Sequence, residues 1–319
     1  MPLLFILHGL ALTPCLSVAL DPCAPLIIVQ TGYLHRRGWP MTFQLFQPSV
    51  PKTKPQPPKP CGFGPYVLHI LRRFHHFAPD WFEFGTRHTP VLRASDWILA
   101  TNQYGSYCVP KSSSHRPAAR SVLAGKVWEE ETLELLCRSV ATGDVVHAGT
   151  YFGDFLPALS KAVAPGKVIW AFEPNPESYE AATITCQLNQ ISNVRLQHLA
   201  LGDHRGTTML QVKEGFEHLG GGSRIVTKCA SLRSSDLAEV PLARLVDVVP
   251  SDRHVSLLHL DVEGSEEQVL AGAQQLIERD MPILVMERLP RKWIRLHMAR
   301  LGYQLKTTCN GNFVLTPRR

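Results

Sequence analysis

A pair of glycines followed one strand later by a glutamate sets the frame for this chain. Residues 144–155 read DVVHAGTYFGDF, and residues 168–176 read VIWAFEPNP. The apolar run of Val145 and Val146 meets a turn through Gly149, Thr150 and Gly153, and a helix can begin at Asp154. The next apolar run, Val168 to Phe172, ends in Glu173, 24 residues after Gly149 (173 − 149 = 24). This is the layout of a βαβ unit built around a nucleotide-like ligand. Glycine lets the backbone approach the ligand closely, and an acid at the end of the second strand can accept hydrogen bonds from ribose hydroxyls.

The rest of the chain supports an α/β reading. Residues 128–140, WEEETLELLCRSV, place acids in a first turn and leucines on one face, which suits a helix. Helices are expected over 154–164 and 176–190, with Pro157 and Pro176 tolerated in their first turns. Strand three is expected over 194–201 and a further extended piece over 207–212. Residues 214–235 read as irregular around Gly220-Gly221-Gly222, either a mobile loop over a site or a linker. VSLLHLDVEG, residues 255–264, reads as a buried strand ending in acids. Residues 266–280 form an amphipathic helix, 282–288 a strand and 290–301 a helix. Two final strands, around 303–308 and 312–316, flank Asn310-Gly311, a hairpin signal that puts an antiparallel strand at one edge. Alternating βα units imply a mostly parallel sheet with helices on both faces.

Domain organisation follows from composition. Residues 48–65, PSVPKTKPQPPKPCGFGP, are a proline-dense linker, and residues 1–65 as a whole have no readable role. Residues 66–118 mix aromatics with basic residues and histidines, among them His75 and His76, and read as a small N-terminal lobe. Residues 119–319 form the main domain. Of the 319 residues, 45% are hydrophobic and 19% charged, enough apolar material for a sizeable core. The net charge of +6 has no dense basic stripe behind it, which argues against a nucleic-acid partner. Eight cysteines form no CxxC pair and no zinc-type cluster with histidine. They read as reduced thiols in a cytoplasmic protein without a structural metal. The first twenty residues are apolar but have no basic start and are broken by His8 and Pro14, so neither a signal peptide nor a membrane span is the preferred reading.

Four blocks resemble the FkbM family of S-adenosylmethionine-dependent methyltransferases, over roughly residues 104–316. They are YGSYCVP at 104–110 with Trp128-Glu129, GDVVHAGTYFGDF, VIWAFEPNPESY, and LLHLDVEGSEEQVLAGA at 257–273 followed by PILVMER. The resemblance implies the class I methyltransferase fold, a Rossmann-like seven-stranded sheet with a reversed last strand. It also implies S-adenosyl-L-methionine as cofactor and methyl transfer to oxygen on a sugar, glycan or secondary metabolite. There are departures from the family's residues. His147 stands where the family usually has an acid that helps hold the amino-acid end of the cofactor. His259 stands where lysine is frequent, and Thr150-Tyr151 replace alanine-asparagine.

On this reading His147, Gly149, Thr150, Gly153 and Asp154 belong to the turn beneath the methionine part of the cofactor. Glu173 accepts from both ribose hydroxyls, Pro174 and Asn175 wall the adenosine, and Ala200 and Leu201 either line the adenine or serve only the core. Asp261 ends a strand at the carboxyl edge of the sheet, where open α/β sheets bind ligands, and it could take a proton from an acceptor hydroxyl or orient it. Glu263 and Glu287 lie at comparable edges, although Glu263 or Glu266 could instead serve the following helix N-terminus. Spacing offers no third ligand for a metal beside Asp261 and Glu263, so none is expected. Two other readings compete. A nicotinamide-dependent oxidoreductase is disfavoured because Gly149 and Gly153 do not complete GxGxxG. A weakly binding or non-catalytic descendant that holds a partner or glycan is suggested by His147.

Overall fold

The structure, a computed structural model, describes residues 96–140, 142–226 and 232–318, all within one compact unit, Gly62–Arg319. The segment 1–65 with its linker, His75, His76 and most of the lobe expected over 66–118 lie outside the described residues.

The order begins with a hairpin, β1 (Trp97–Asn102) and β2 (Gly105–Pro110), then α1 (Pro117–Leu123) and α2 (Glu130–Ser139). The boundary expected at residue 118 falls inside α1. Next come β3 (Asp144–Ala148), α3 (Leu156–Ala162), β4 (Ile169–Phe172), α4 (Pro176–Leu188) and β5 (Val194–Gln197). A β-rich insertion follows: β6 (Ala200–Leu201), β7 (Gly206–Gln211), β8 (Lys213–Glu214), β9 (Glu217–His218), β10 (Arg224–Val226) and β11 (Leu237–Ala243). The chain continues through α5 (Leu245–Val248), β12 (Val255–Leu260), α6 (Glu266–Gly272), α7 (Gln274–Asp280), β13 (Ile283–Met286), α8 (Arg291–Trp293), β14 (Tyr303–Cys309) and β15 (Asn312–Pro317).

The largest sheet is mixed and has seven strands in the order β14-β15-β13-β12-β3-β4-β5, with β15 alone running against its neighbours. The expected antiparallel edge strand is therefore corrected: β15 inserts between β13 and β14, and β14 takes the edge. The Asn310-Gly311 turn, with φ of +48° and +85°, folds β15 back beside β13. Alternation along each strand explains the helices on both faces. Val145, Leu257 and Val285 point into a core with Leu133, Leu136, Leu156 and Leu159 of α2 and α3. Val146, Leu258 and Leu284 point into the opposite core with Val269, Leu270, Leu276 and Ile277 of α6 and α7.

Other sequence expectations change too: the stretch 214–235, read as irregular, holds β9, β10 and the end of β8. Strand three does not run to Leu201. It ends at Gln197, and Ala200–Leu201 joins β11 in a second sheet, ordered β10-β7-β11-β6. The helix over 266–280 breaks at Ala273, after a point where the Gly272 backbone packs on Gly202; a Cβ on Gly272 would lie 1.9 Å from the Gly202 carbonyl oxygen. The helix expected near 290–301 is present but ends earlier, as a short α8 that continues in π-helical form over Ile294–Met298. Among the described residues no helix is long and apolar enough to cross a membrane.

Asp144 ties the amino edge of the sheet. It is 1% exposed, and its carboxylate accepts from Arg253 Nε and Nη2, from Trp170 Nε1 at 2.9 Å and from the Val168 N–H at 3.0 Å. Although burial opposes ionisation, the Arg253 and Trp170 hydrogen bonds hold this carboxyl below its ordinary value. A lowered folded-state pKa stabilises above the unfolded value and loses that contribution as pH falls through the folded one. Asp144→Asn should therefore cost about 2–3 kcal/mol in urea unfolding at pH ~7, and the gap to wild type should shrink in acid below pH ~4.

Candidate functional site

Register across the large sheet builds the site. Ala148 of β3 is level with Phe172 of β4 and with Leu260 of β12, and Leu260 is level with Met286 of β13. The next residue on each strand is Gly149, Glu173, Asp261 and Glu287, so these four stand in one row at the carboxyl edge. Backbone bonds extend the row: Gly149 N–H and Thr150 N–H donate to Phe172 O, Asp261 N–H to Ala148 O, and Glu287 N–H to Leu260 O. Gly149, at φ +87°, has no room for a side chain, because a Cβ there would fall 1.7 Å from the Asp261 carbonyl oxygen.

Glu173 is 4% exposed. Its Oε2 accepts from Tyr151 N–H at 2.6 Å and its Oε1 from Asn175 N–H at 2.8 Å. The carboxylate thus holds the glycine turn, in which Tyr151 adopts a positive φ of +50° and Gly153 one of +82°. Each oxygen retains a further acceptor position. Burial pushes the Glu173 carboxyl up to about 8.

A cavity opens on this row. Its walls are Gly149, Glu173, Pro174, Ala200, Leu201 and Asp261, together with Leu199, Leu210, Gly221, Ser223, Ile225 and Ser265. The last six were not read from the sequence. Leu210 and Ile225 come from β7 and β10, so the second sheet forms one side; the triple glycine was the one sequence signal for it. Ser223 Oγ donates to Gly220 O at 2.7 Å and accepts from Asn175 Nδ2 at 2.8 Å, tying that wall to the α4 N-terminus. Asn175 itself caps α4, its Oδ1 accepting from Glu177 N–H and Ser178 N–H. Gly153 packs the turn against α4, where a Cβ would press on Thr185 and Ala182. Thr150 is fully buried, its Oγ1 on the His147 carbonyl. Burial raises the Asp154 carboxyl to about 7. The β1–β2 hairpin and α1 complete the support, with Tyr107, Val109 and Val122 packed on Tyr151 and Phe152.

His147 is set away from this cavity. Side chains alternate along β3, and His147 shares the face of Val145, under α3. Its ring packs against both Phe155 and His259, and its Nδ1 lies 2.8 Å from His259 Nδ1. The two strands are in register at these residues. His147 and His259 are therefore one physical unit, a neutral imidazole pair in the sheet layer. One Nδ1 carries the shared proton and the other accepts it; His147 Nε2 has no partner.

At the other end of the row, Asp261, Glu263 and Glu287 each place a carboxylate oxygen within 4.8 Å of the others. The fold thus supplies in Glu287 the third ligand that spacing did not reveal, and the group could hold a divalent cation. Asp261 is open to solvent at the cavity mouth, yet atoms crowd its carboxyl. Loss of water, with Glu287 and Glu263 alongside, raises it well above the ordinary range. Burial and Glu287 also raise Glu263, opposed by Arg288, Arg116 and Arg224. Arg288 Nη2 pairs with Glu263 Oε2 at 3.2 Å.

Comparison with known proteins places this arrangement in a family. The family model for the methyltransferase FkbM domain matches residues 147–305, from the end of β3 into β14. The chain carries a domain of that family, whose methyl donor is S-adenosyl-L-methionine. A relative, Methyltransferase 1 of Beauveria bassiana (strain ARSEF 2860), is 29% identical over 147 residues, covering 40% of this chain and 57% of its own length. The chain thus spans little more than half of that relative. Among solved structures, the methyltransferase FkbM from Methylobacillus flagellatus KT is 17% identical, covers 56% of this chain and 44% of its own, and has a TM-score of 0.38. M. jannaschii TYW2 in complex with AdoMet is 13% identical, covers 72% and 88%, and has a TM-score of 0.37.

Two outcomes follow from the site's packing. Gly149→Ala should abolish ligand binding in the cavity and lower the melting temperature, because the Asp261 backbone cannot yield; unchanged melting would refute the contact. Burial holds His147 down near 4, and it places His259 well below its ordinary value with help from His147. A lowered histidine pKa leaves the unfolded state holding more protons between the two values. Stability should fall, by roughly 1–3 kcal/mol, as pH drops from ~6.5 to ~4. His147→Phe should flatten that part of a pH–urea series.

Proposed function

We propose that the chain is an S-adenosyl-L-methionine-dependent O-methyltransferase whose acceptor is a hydroxyl on a sugar, glycan or secondary metabolite. The large sheet is read as the class I methyltransferase arrangement, spanning 119–319 with the hairpin and α1 as its N-terminal support. The observation that carries the proposal is that Gly149, Glu173 and Asp261 stand in one register row and line one cavity.

The residues suit the cofactor. A buried carboxylate with free acceptor positions faces a largely apolar wall of Leu199, Ala200, Leu201, Leu210 and Ile225, the combination that a ribose and a base require. The enclosed space measures about 40 Å³, well short of the several hundred Å³ that drug-sized ligands occupy. Binding of the whole cofactor therefore needs more room than this structure encloses.

When bound, S-adenosylmethionine supplies a methyl group already activated by its sulfonium, so the protein's contribution is mostly placement. Glu173 accepts from the ribose hydroxyls while it keeps Tyr151 N–H and Asn175 N–H in position. Pro174 and Asn175 shape the adenosine side, Ala200 and Leu201 the base side, and the turn through Gly149, Thr150, Gly153 and Asp154 the amino-acid end. Asp261 takes the proton from the acceptor hydroxyl, and its raised carboxyl makes it a stronger base once ionised. Glu263 and Glu287 keep it raised. The modest net charge without a basic stripe supports an acceptor other than nucleic acid, and free Cys108, Cys137, Cys186 and Cys309 are in keeping with a cytoplasmic setting.

A weakly binding descendant is the second reading, favoured by the withdrawal of His147 into the sheet layer. Calorimetry with S-adenosylhomocysteine separates the two: a folded protein that binds none of it supports the descendant. For the enzyme, affinity should rise about tenfold from pH ~7 to ~9 as Glu173 ionises, and Glu173→Gln should lose at least about tenfold. Asp261→Asn should keep S-adenosylhomocysteine affinity but lose on the order of 10²–10⁴ in methyl transfer from labelled donor to a glycan and extract panel. Full transfer by Asp261→Asn would remove Asp261 from the chemistry.

A further inference from the structure

Three arginines from separate parts of the chain surround one carboxylate, Glu263, two residues beyond the cavity residue Asp261. Arg116 precedes α1, Arg224 opens β10, and Arg288 follows β13. All three act on the same carboxylate, Glu263, which sits beside Asp261 with a left-handed φ of +51°. They are not equally committed. Arg288 pairs with Glu263 at 3.2 Å and approaches Glu287 at 3.6 Å. Arg224 lies 3.7 Å from Glu214. Arg116 has no ion pair and no side-chain hydrogen bond among the described residues, although its neighbour His115 reaches Glu217 at 3.6 Å.

Arg116 lies close to the glycine backbone. A Cβ at Gly222 would stand 2.5 Å from Arg116 Nη2 and 3.8 Å from Glu263 Oε1, so the guanidinium lies against glycine backbone and faces Glu263 across it. Gly221 and Ser223, on either side, line the cavity. Only glycine at 222 leaves the guanidinium this seat. Arg116 is half-buried there, which limits its solvation. A planar guanidinium in that state is matched by a carboxylate or phosphate group, which it can bind through two parallel N–H donors.

We infer that Arg116 binds an anionic group of the methyl acceptor, a carboxylate or phosphate carried on the hydroxyl-bearing molecule, and holds the hydroxyl toward Asp261. This rests on the methyltransferase reading and narrows its acceptor class. Arg224 adds longer-range attraction from the same wall, and Arg288, occupied by Glu263 and Glu287, keeps those acids from repelling the ligand. The role is one of binding and orientation; the proton still leaves to Asp261.

The test is calorimetric titration of the full chain with D-glucuronate, glucose 6-phosphate and D-glucose, with S-adenosylhomocysteine present. The expected result is that at least one anionic sugar binds about tenfold or more tightly than glucose and that inorganic phosphate competes with it. Arg116→Gln should erase that preference, and Arg116→Lys should keep part of it, both with unchanged S-adenosylhomocysteine affinity and melting temperature. Glucuronate against glucose 6-phosphate tells a carboxylate from a phosphate acceptor. No preference for either anion, or a preference that survives Arg116→Gln, overturns the inference. S-adenosylhomocysteine is titrated first: its failure to bind removes the cofactor reading, while the anion comparison on the protein alone still decides the role of Arg116.

Discussion

Parallel register is the constraint from which the rest of the site follows. Four strands end level with one another, and the residues one step beyond are a glycine and three acids. Gly149 permits the row, since a side chain on it would collide with the backbone of Asp261. A slip of one residue in β12 would exchange Leu260 for Asp261 at the buried layer and put a carboxylate into the apolar core. Hydrophobic alternation on Leu257, Leu258 and Leu260 thus fixes the position of the acid as a by-product of packing.

The same row concentrates charge in a poorly solvated place. Glu173, Asp154, Asp261 and Glu263 are all raised above their ordinary values, with burial the first cause in each case. The fold meets this cost differently at the two ends. Glu173 is steadied by two backbone N–H donors, which also shape the turn. Among the described residues Asp261 has no such donor, and Glu287 and Glu263 act on it. A carboxyl held by donors suits a fixed ligand contact, whereas one left near its neutral form suits proton exchange. Behind them, His147 and His259 fill the sheet layer without any charge.

Local signals in the sequence were enough for the βαβ core. The turn at Gly149, the strand-end acids and the Asn310-Gly311 hairpin each announce themselves within a few residues, because turn chemistry and strand periodicity are local. What escaped depended on contacts distant along the chain. Ala200–Leu201 looked like the end of strand three, yet it leaves for a partner more than forty residues away, Leu242–Ala243. Glu287 was legible as a strand-end acid, but its closeness to Asp261 and Glu263 follows from the pairing of Met286 with Leu260. His147 looked like a cofactor ligand because strand direction alone does not say which face a side chain takes.

The β-rich insertion between β5 and β12 gives the cavity its character. The sheet edge supplies the polar row but leaves one side open. β7 and β10 close it with Leu210 and Ile225, and the glycines at 220–222 let that wall run close to Tyr151 and Arg116. A side chain at Gly220 would meet the Tyr151 hydroxyl at 2.7 Å and one at Gly222 the Arg116 guanidinium at 2.5 Å. The same stretch of backbone therefore touches both the glycine turn at Tyr151 and the Arg116 cation. A shift of this stretch would change the surroundings of Tyr151 and Arg116 together, which couples the two through sterics.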